Sequence, residues 1–142
     1  MYSRNALKAA EWRHVRIFKN KSFARFARKA RIADAALCEA VGNAERGLID
    51  ADLGGGVIKQ RIARSGGGKS GGFRTIILFR AGARAFFVHG FAKNEQDNIR
   101  NDERAAFKML PAQLLAHDDA ALAKAIDAGV FMEVMRDDQA IS

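Results

Sequence analysis

Apolar residues recur along this chain with two different periods, and the switches between them mark its elements. Arg13–Phe18 alternates, with Val15 and Ile17 set against His14, Arg16 and Phe18, the period-two pattern of a short strand. Ser22 then suits a helix N-cap. Phe23, Phe26, Ala27 and Ala30 follow at i, i+3, i+4 and i+7, one apolar stripe, with Arg25, Arg28 and Lys29 off it and facing water. A second helix is predicted from Ala33-Asp34, with Asp34 as its cap, Leu37, Ala40, Val41 and Ala44 on its inner face, and Gly47 closing it. Leu48–Gly56 reads as a turn-rich connector. Val57–Ala63 reads as a strand with Ile58 and Ile62 on one side and Lys59 and Arg61 on the other. Ser65–Gly72 is too rich in glycine for a strand. Phe73–Arg80 is a strong one, and a turn over Ala81–Ala83 leads to a returning strand, Arg84–Phe91.

Past Lys93 the helical period returns. Ile99, Glu103, Ala106 and Leu110 share a face, and Pro111 is expected to break that helix near its end. Asp118 or Asp119 caps a last helix carrying Leu122, Ala125 and Ile126, stopped by Gly129. Val130–Met135 fits either a strand or a docked tail. The expected fold class is α+β: an N-terminal strand and helical hairpin, then an antiparallel sheet with helices on one face, and C-terminal helices. Three segments are expected: an N-terminal extension or leader over 1–12, a main domain over 13–110, and a C-terminal helical extension over 111–142.

Composition narrows the class. With 142 residues, 49% of them apolar and 28% charged, the chain fits one globular domain. No stretch approaches the roughly 20 apolar residues of a membrane span, and the first residues lack the apolar core of a secretory signal. A cytoplasmic address without membrane partners is expected. Cys38 stands alone, which excludes an intrachain disulfide and a cysteine-based zinc site; on a helix face it is a small apolar filler.

Charge changes the picture most. The formal net charge is +8, but the bases are segregated. Arg13–Arg31 holds Arg13, Arg16, Lys19, Lys21, Arg25, Arg28, Lys29 and Arg31 without an acid, and Val57–Lys93 holds Lys59, Arg61, Arg64, Lys69, Arg74, Arg80, Arg84 and Lys93, again without one. Blocks of one sign raise the local potential and draw polyanions. The acids gather after Asn94. Of these, Asp118, Asp119, Asp127, Glu133, Asp137 and Asp138 are read as an ordinary helix surface rather than a tail folded back on the cationic face.

Several chemistries fall away. Gly68-Lys69-Ser70 resembles the end of a phosphate-binding P-loop, but Ala63 stands where the first glycine is needed and a strand follows instead of a helix. The loop is better read as a hairpin tip presenting Arg64 and Lys69 to phosphates. His14, His89 and His117 are scattered without metal-ligand spacing, so no metal and no cofactor are expected. No nucleophile elbow is present, and the candidate site strands carry no carboxylate. What remains is a cationic sheet face. Lys59 and Arg61 share one side of their strand. Arg74 opens the next, and His89 and Lys93 lie towards the end of the third. These five are expected to converge at one end of the sheet, with Arg25, Arg28, Lys29, Arg64 and Lys69 as further contacts to a polyanion, RNA in the reading given below; Arg80 and Arg84 are read as solvated bases.

The stretch GGGVIKQRIARSGGGKSGGFRTIILFRAGARAFFVHGFAKNE, Gly54–Glu95, together with the upstream IFKNKSFARFARKARIADAALCEAV, resembles the RelE-like toxins of the HigB type, from bacterial toxin–antitoxin systems. The resemblance covers roughly Arg13 to Phe107. It implies an endoribonuclease that enters the ribosomal A site and cuts mRNA, and a cognate antitoxin, commonly a helix-turn-helix DNA-binding protein. It also implies that Lys59, Arg61 and Arg74 hold and cleave the RNA, with Lys93 a looser match. Relatives that carry an arginine in the segment after Lys93, or a tyrosine base a few residues later, are not followed: Asn94 stands here, and the one tyrosine is Tyr2. For metal-free cleavage the 2′-OH attacks the adjacent phosphorus, which needs charge stabilisation, a base and an acid. Arg61 and Arg74 supply paired N–H donors. Lys59, crowded by other cations, is the candidate base, and His89 the alternative proton-transfer group. Two other readings stay open: a non-catalytic basic module, such as a decayed toxin, and a gyrase-targeting toxin on the same fold.

Overall fold

A computed structural model describes residues 15–63, 72–80, 83–92 and 119–134. In chain order it contains β1 (Arg16–Asn20), α1 (Lys21–Ala30), α2 (Asp34–Glu45), β2 (Ala51–Gly54), β3 (Val57–Ile62), β4 (Phe73–Arg80), β5 (Arg84–Ala92), α3 (Asp119–Asp127) and β6 (Phe131–Val134). The fold is α+β, as expected. The helix predicted around Ile99–Leu110 lies outside the described residues.

The strands form one sheet in the order β2-β3-β4-β5-β1-β6. From β2 to β5 each neighbour is antiparallel; β1 then runs parallel to β5, and β6 antiparallel to β1. β4 has the predicted bounds, because it is an unbroken run of β-branched and aromatic residues. The connector expected over Leu48–Gly56 instead contains β2. Asp52 and Gly54 give that segment little strand propensity of its own. It is a strand because Gly54, Gly55 and Gly56, all at positive φ, reverse the chain tightly enough for Ala51 to pair with Lys59. At the other edge, β6 settles the open reading of Val130–Met135 as a strand. The sheet thus takes residues from beyond position 110, and the C-terminal segment adds a strand as well as a helix.

Two apolar clusters lie on the two sheet faces. One joins Phe23 and Ala27 of α1 and Leu37, Ala40, Val41 and Ala44 of α2 to Ile58, Ile62, Phe73, Ile77 and Phe87. Both helices therefore bury the predicted stripes, and Cys38 is half-buried against this cluster. The other joins Phe18, Val57, Ile76, Leu78, Phe86, Val88, Phe91 and Phe131 to Leu122 of α3. Helices were expected on one face only; α3 covers part of the second, because the odd and even positions of β4 are both apolar and both need burial.

The helix caps also differ from expectation. Asn20, not Ser22, starts α1: its Oδ1 accepts from the Phe23 amide at 2.7 Å. The side-chain amide of Asn20 also donates to the Val88 carbonyl at 3.3 Å, tying the helix start to β5. Asp34 is the first residue of α2 rather than its cap, which is Ala33 with no side-chain cap bond. Its carboxylate instead accepts from Lys19 at 3.1 Å, at a helix N-terminus where negative charge is favoured.

Candidate functional site

Strand register decides which bases meet. Lys59 opposes Ile76, which opposes His89; one row further, Arg61 opposes Arg74, which opposes Phe91. Ile76 and Phe91 belong to the cluster on the face away from α1 and α2. By the two-residue alternation, Lys59, Arg61 and Arg74 project from that same face. Adjacent strands lie about 4.8 Å apart, so the three residues leave neighbouring points of one sheet face, while the exposed Arg61 also borders a hollow with Ala36, Glu39, Ala40 and Asn43 of α2.

His89 joins them through an irregularity. Without it, Phe87 and His89 would point the same way, and Phe87 is buried against α1. The register of β4 and β5 shifts between Ile76 and Ile77, so Ile77 opposes Phe87 while Ile76 opposes His89, and Val88 is the extra residue. This β-bulge turns the half-buried His89 to the cationic face, where its ring lies 5.8 Å from that of Phe91. Gly90 is turned the opposite way, against the Phe23 and Phe26 rings.

The patch contains an acid that strand patterning did not reveal. Asp50, just before β2, places its Oδ2 3.4 Å from Nε of Arg74 and 3.8 Å from Nζ of Lys59. Both bases are largely buried, with 14% of the Lys59 side chain and 13% of the Arg74 side chain exposed. The purely cationic surroundings expected for Lys59 are thus corrected: a carboxylate reaches in from the edge strand. The sequence signal was Asp50 itself, two positions before Asp52 and next to the glycine turn, read as connector.

Beneath the patch, on the helix side of β3, Gln60 is buried and faces the core between Ile58 and Ile62. Its Nε2 donates to the carbonyls of Ala40 at 3.0 Å and Leu48 at 2.9 Å, and its Oε1 accepts from the Asp50 amide at 3.1 Å. Its register partner Thr75, also buried, donates through its hydroxyl to the Gln60 carbonyl at 3.0 Å. The bonds of the Gln60 side chain anchor the chain leading into Asp50 to α2 and β3, and the pairing of Ala51 with Lys59 holds the residue that follows.

The remaining expected contacts separate. Arg25, Arg28 and Lys29 are exposed on α1, on the helix side of the sheet and away from the patch. Arg84 donates to Asp119 at 3.1 Å, at the first turn of α3, rather than standing as a solvated base. Glu133 takes Arg16 in a two-point pair at 2.9 Å for each bond, with the guanidinium 5.0 Å over the Phe18 ring. Those two acids therefore serve the sheet and α3, not the Lys59 patch. Arg64, Lys69 and Lys93 lie outside the described residues, as do His14, His117, Asp118, Asp137 and Asp138. No helix among the described residues is long and apolar enough to cross a membrane.

Comparison with known proteins adds one match. A family model described as the RelE toxin of the RelE/RelB toxin–antitoxin system matches residues 15–134. Among curated proteins, none matches the chain.

Proposed function

The chain belongs to the RelE toxin family of toxin–antitoxin systems, and on that premise we propose that it is a metal-independent endoribonuclease cutting mRNA in the ribosomal A site. The single observation that supports this most is the shared face of Lys59, Arg61 and Arg74, set by strand register. Such a patch suits a phosphodiester, whose non-bridging oxygens accept from two guanidinium groups at once. In this reading Arg61 and Arg74 stabilise the charge that builds on phosphorus as the 2′-oxygen attacks. The O2′–P bond forms as the P–O5′ bond breaks, the 2′-OH proton passes to a base, and the 5′-oxygen takes one from an acid. Lys59 and His89 lie on the same face for these two proton transfers. A bound ribosome supplies the alignment of the ribose that the patch alone does not.

RelE toxins pair with a cognate antitoxin. A helix-turn-helix protein in that role, covering the patch, belongs to the same proposal.

The test is primer extension on a translated mRNA, with and without ribosomes, after induction of this chain alone. Cleavage only with ribosomes, lowered about a hundredfold or more in Arg61→Ala and Arg74→Ala, is the expected result. A parent chain that leaves mRNA intact removes the nuclease reading, and DNA-damage signatures in its place would indicate a gyrase-directed toxin.

A further inference from the structure

Lys59 and Arg74 are not register partners. Each opposes another residue, and they stand diagonally across β3 and β4. Diagonal neighbours lie about 7–8 Å apart at the backbone, within reach of long side chains but with no geometric reason for two like charges to meet. They nevertheless point to one place, since one carboxylate oxygen, Oδ2 of Asp50, lies within 3.8 Å of both. Asp50 in turn does not float on its loop. Its amide is bound to Gln60, whose side chain also holds the Leu48 carbonyl two residues earlier, and Ala51 pairs with Lys59 one residue later.

We propose that Asp50 is a positioning residue of the cationic patch, drawing Lys59 and Arg74 to the point at which an RNA phosphate binds and giving up that point to the phosphate. The inference rests on the reading of this face as an RNA site. Carboxylate and phosphodiester each carry one negative charge and offer oxygens to the same donors, so exchange of one for the other leaves the two cations compensated throughout. Without Asp50 the cations are freer to accept a phosphate, yet they are no longer gathered for it. Binding and chemistry should therefore move in opposite directions.

The full-length Asp50→Asn chain, isosteric with the parent, is compared with it in two measurements. One is the affinity for a 2′-deoxy oligonucleotide, which lacks the attacking hydroxyl and is not cut. The other is the single-turnover cleavage rate on ribosomes with ordinary mRNA. Asp50→Asn is expected to bind the oligonucleotide about twofold to fivefold more tightly, as fits removal of a partly exposed competing ion pair, and to cleave at least about tenfold more slowly. A residue that merely held the fold together would worsen both. Asp52→Asn makes the same charge change next to the turn, where Asp52 accepts from the Gly54 amide at 2.9 Å, and is expected to alter neither. Weaker or unchanged binding in Asp50→Asn, or an unchanged cleavage rate beside an active parent, overturns the proposal. A parent chain that does not cleave refutes the nuclease reading instead, and the binding comparison then decides the role of Asp50.

Discussion

Replacing Gln60 with leucine keeps the side chain's approximate volume and removes all three of its hydrogen bonds. The site is buried, with 4% of the residue exposed. The Asp50 amide loses its acceptor and the Leu48 carbonyl its donor, while the Ala40 carbonyl, inside α2, keeps the acceptor position of the helix ladder. A buried polar group that loses its partner costs about 1–3 kcal/mol, and an apolar leucine against Ile58 and Ile62 recovers part of that. A net loss of about 2–4 kcal/mol is expected, large against a typical total of about 5–15 kcal/mol yet compatible with a folded protein. Gln60→Glu should be worse than leucine. A carboxylate keeps the acceptor for Asp50 but turns negative oxygens towards two carbonyls that need a donor. Urea denaturation followed by circular dichroism measures both variants, with unchanged slope and a lowered midpoint expected. A loss under about 1 kcal/mol for Gln60→Leu, or a glutamate milder than the leucine, would refute the role assigned to this residue.

Three further outcomes follow from the same contacts. Asn20→Ala removes the α1 cap and the bond to the Val88 carbonyl, and should lower stability by about 1–2 kcal/mol in the same denaturation assay. Gly90→Ala would set a Cβ 2.4 Å from the Phe26 ring, so that ring must move off its edge contact with Phe73; a loss of about 1–3 kcal/mol is expected, relieved by Phe26→Leu in the double variant. The hydrogen bond that Arg16 donates to Glu133 raises its pKa above the ordinary value, so the stabilisation tied to Arg16 protonation is fully present below the unfolded-state value and is lost only as pH rises through the still higher folded-state value. The stability difference between the parent and Arg16→Met, about 1 kcal/mol or less for so exposed a pair, should therefore stay flat from roughly pH 7 to pH 10 in denaturant titrations.

Much of the scaffold is legible without coordinates. The stripe of Phe23, Phe26 and Ala27, the inner face of α2 and the bounds of β4 follow from local periodicity, which a helix or strand imposes whatever surrounds it. The same two-residue alternation already puts Lys59 and Arg61 on one side of β3. Family membership was equally readable, because strand, loop and hairpin follow one another in one recognisable run.

What the tertiary structure alone decided are the pairings between distant segments. Nothing local in the chain marks Val88 as the extra residue that turns His89 towards Lys59, since a bulge is visible only against the partner strand. The polar segment around Asp52 becomes an edge strand by pairing with β3, and only that pairing brings Asp50 to Arg74, 24 positions later in the chain. The insertion of β1 between β5 and β6, and the seating of α3 on the second face, likewise reflect apolar area that had to be buried somewhere. Sequence periodicity specifies which side of an element is apolar; which other element covers that side is settled only when the whole chain packs.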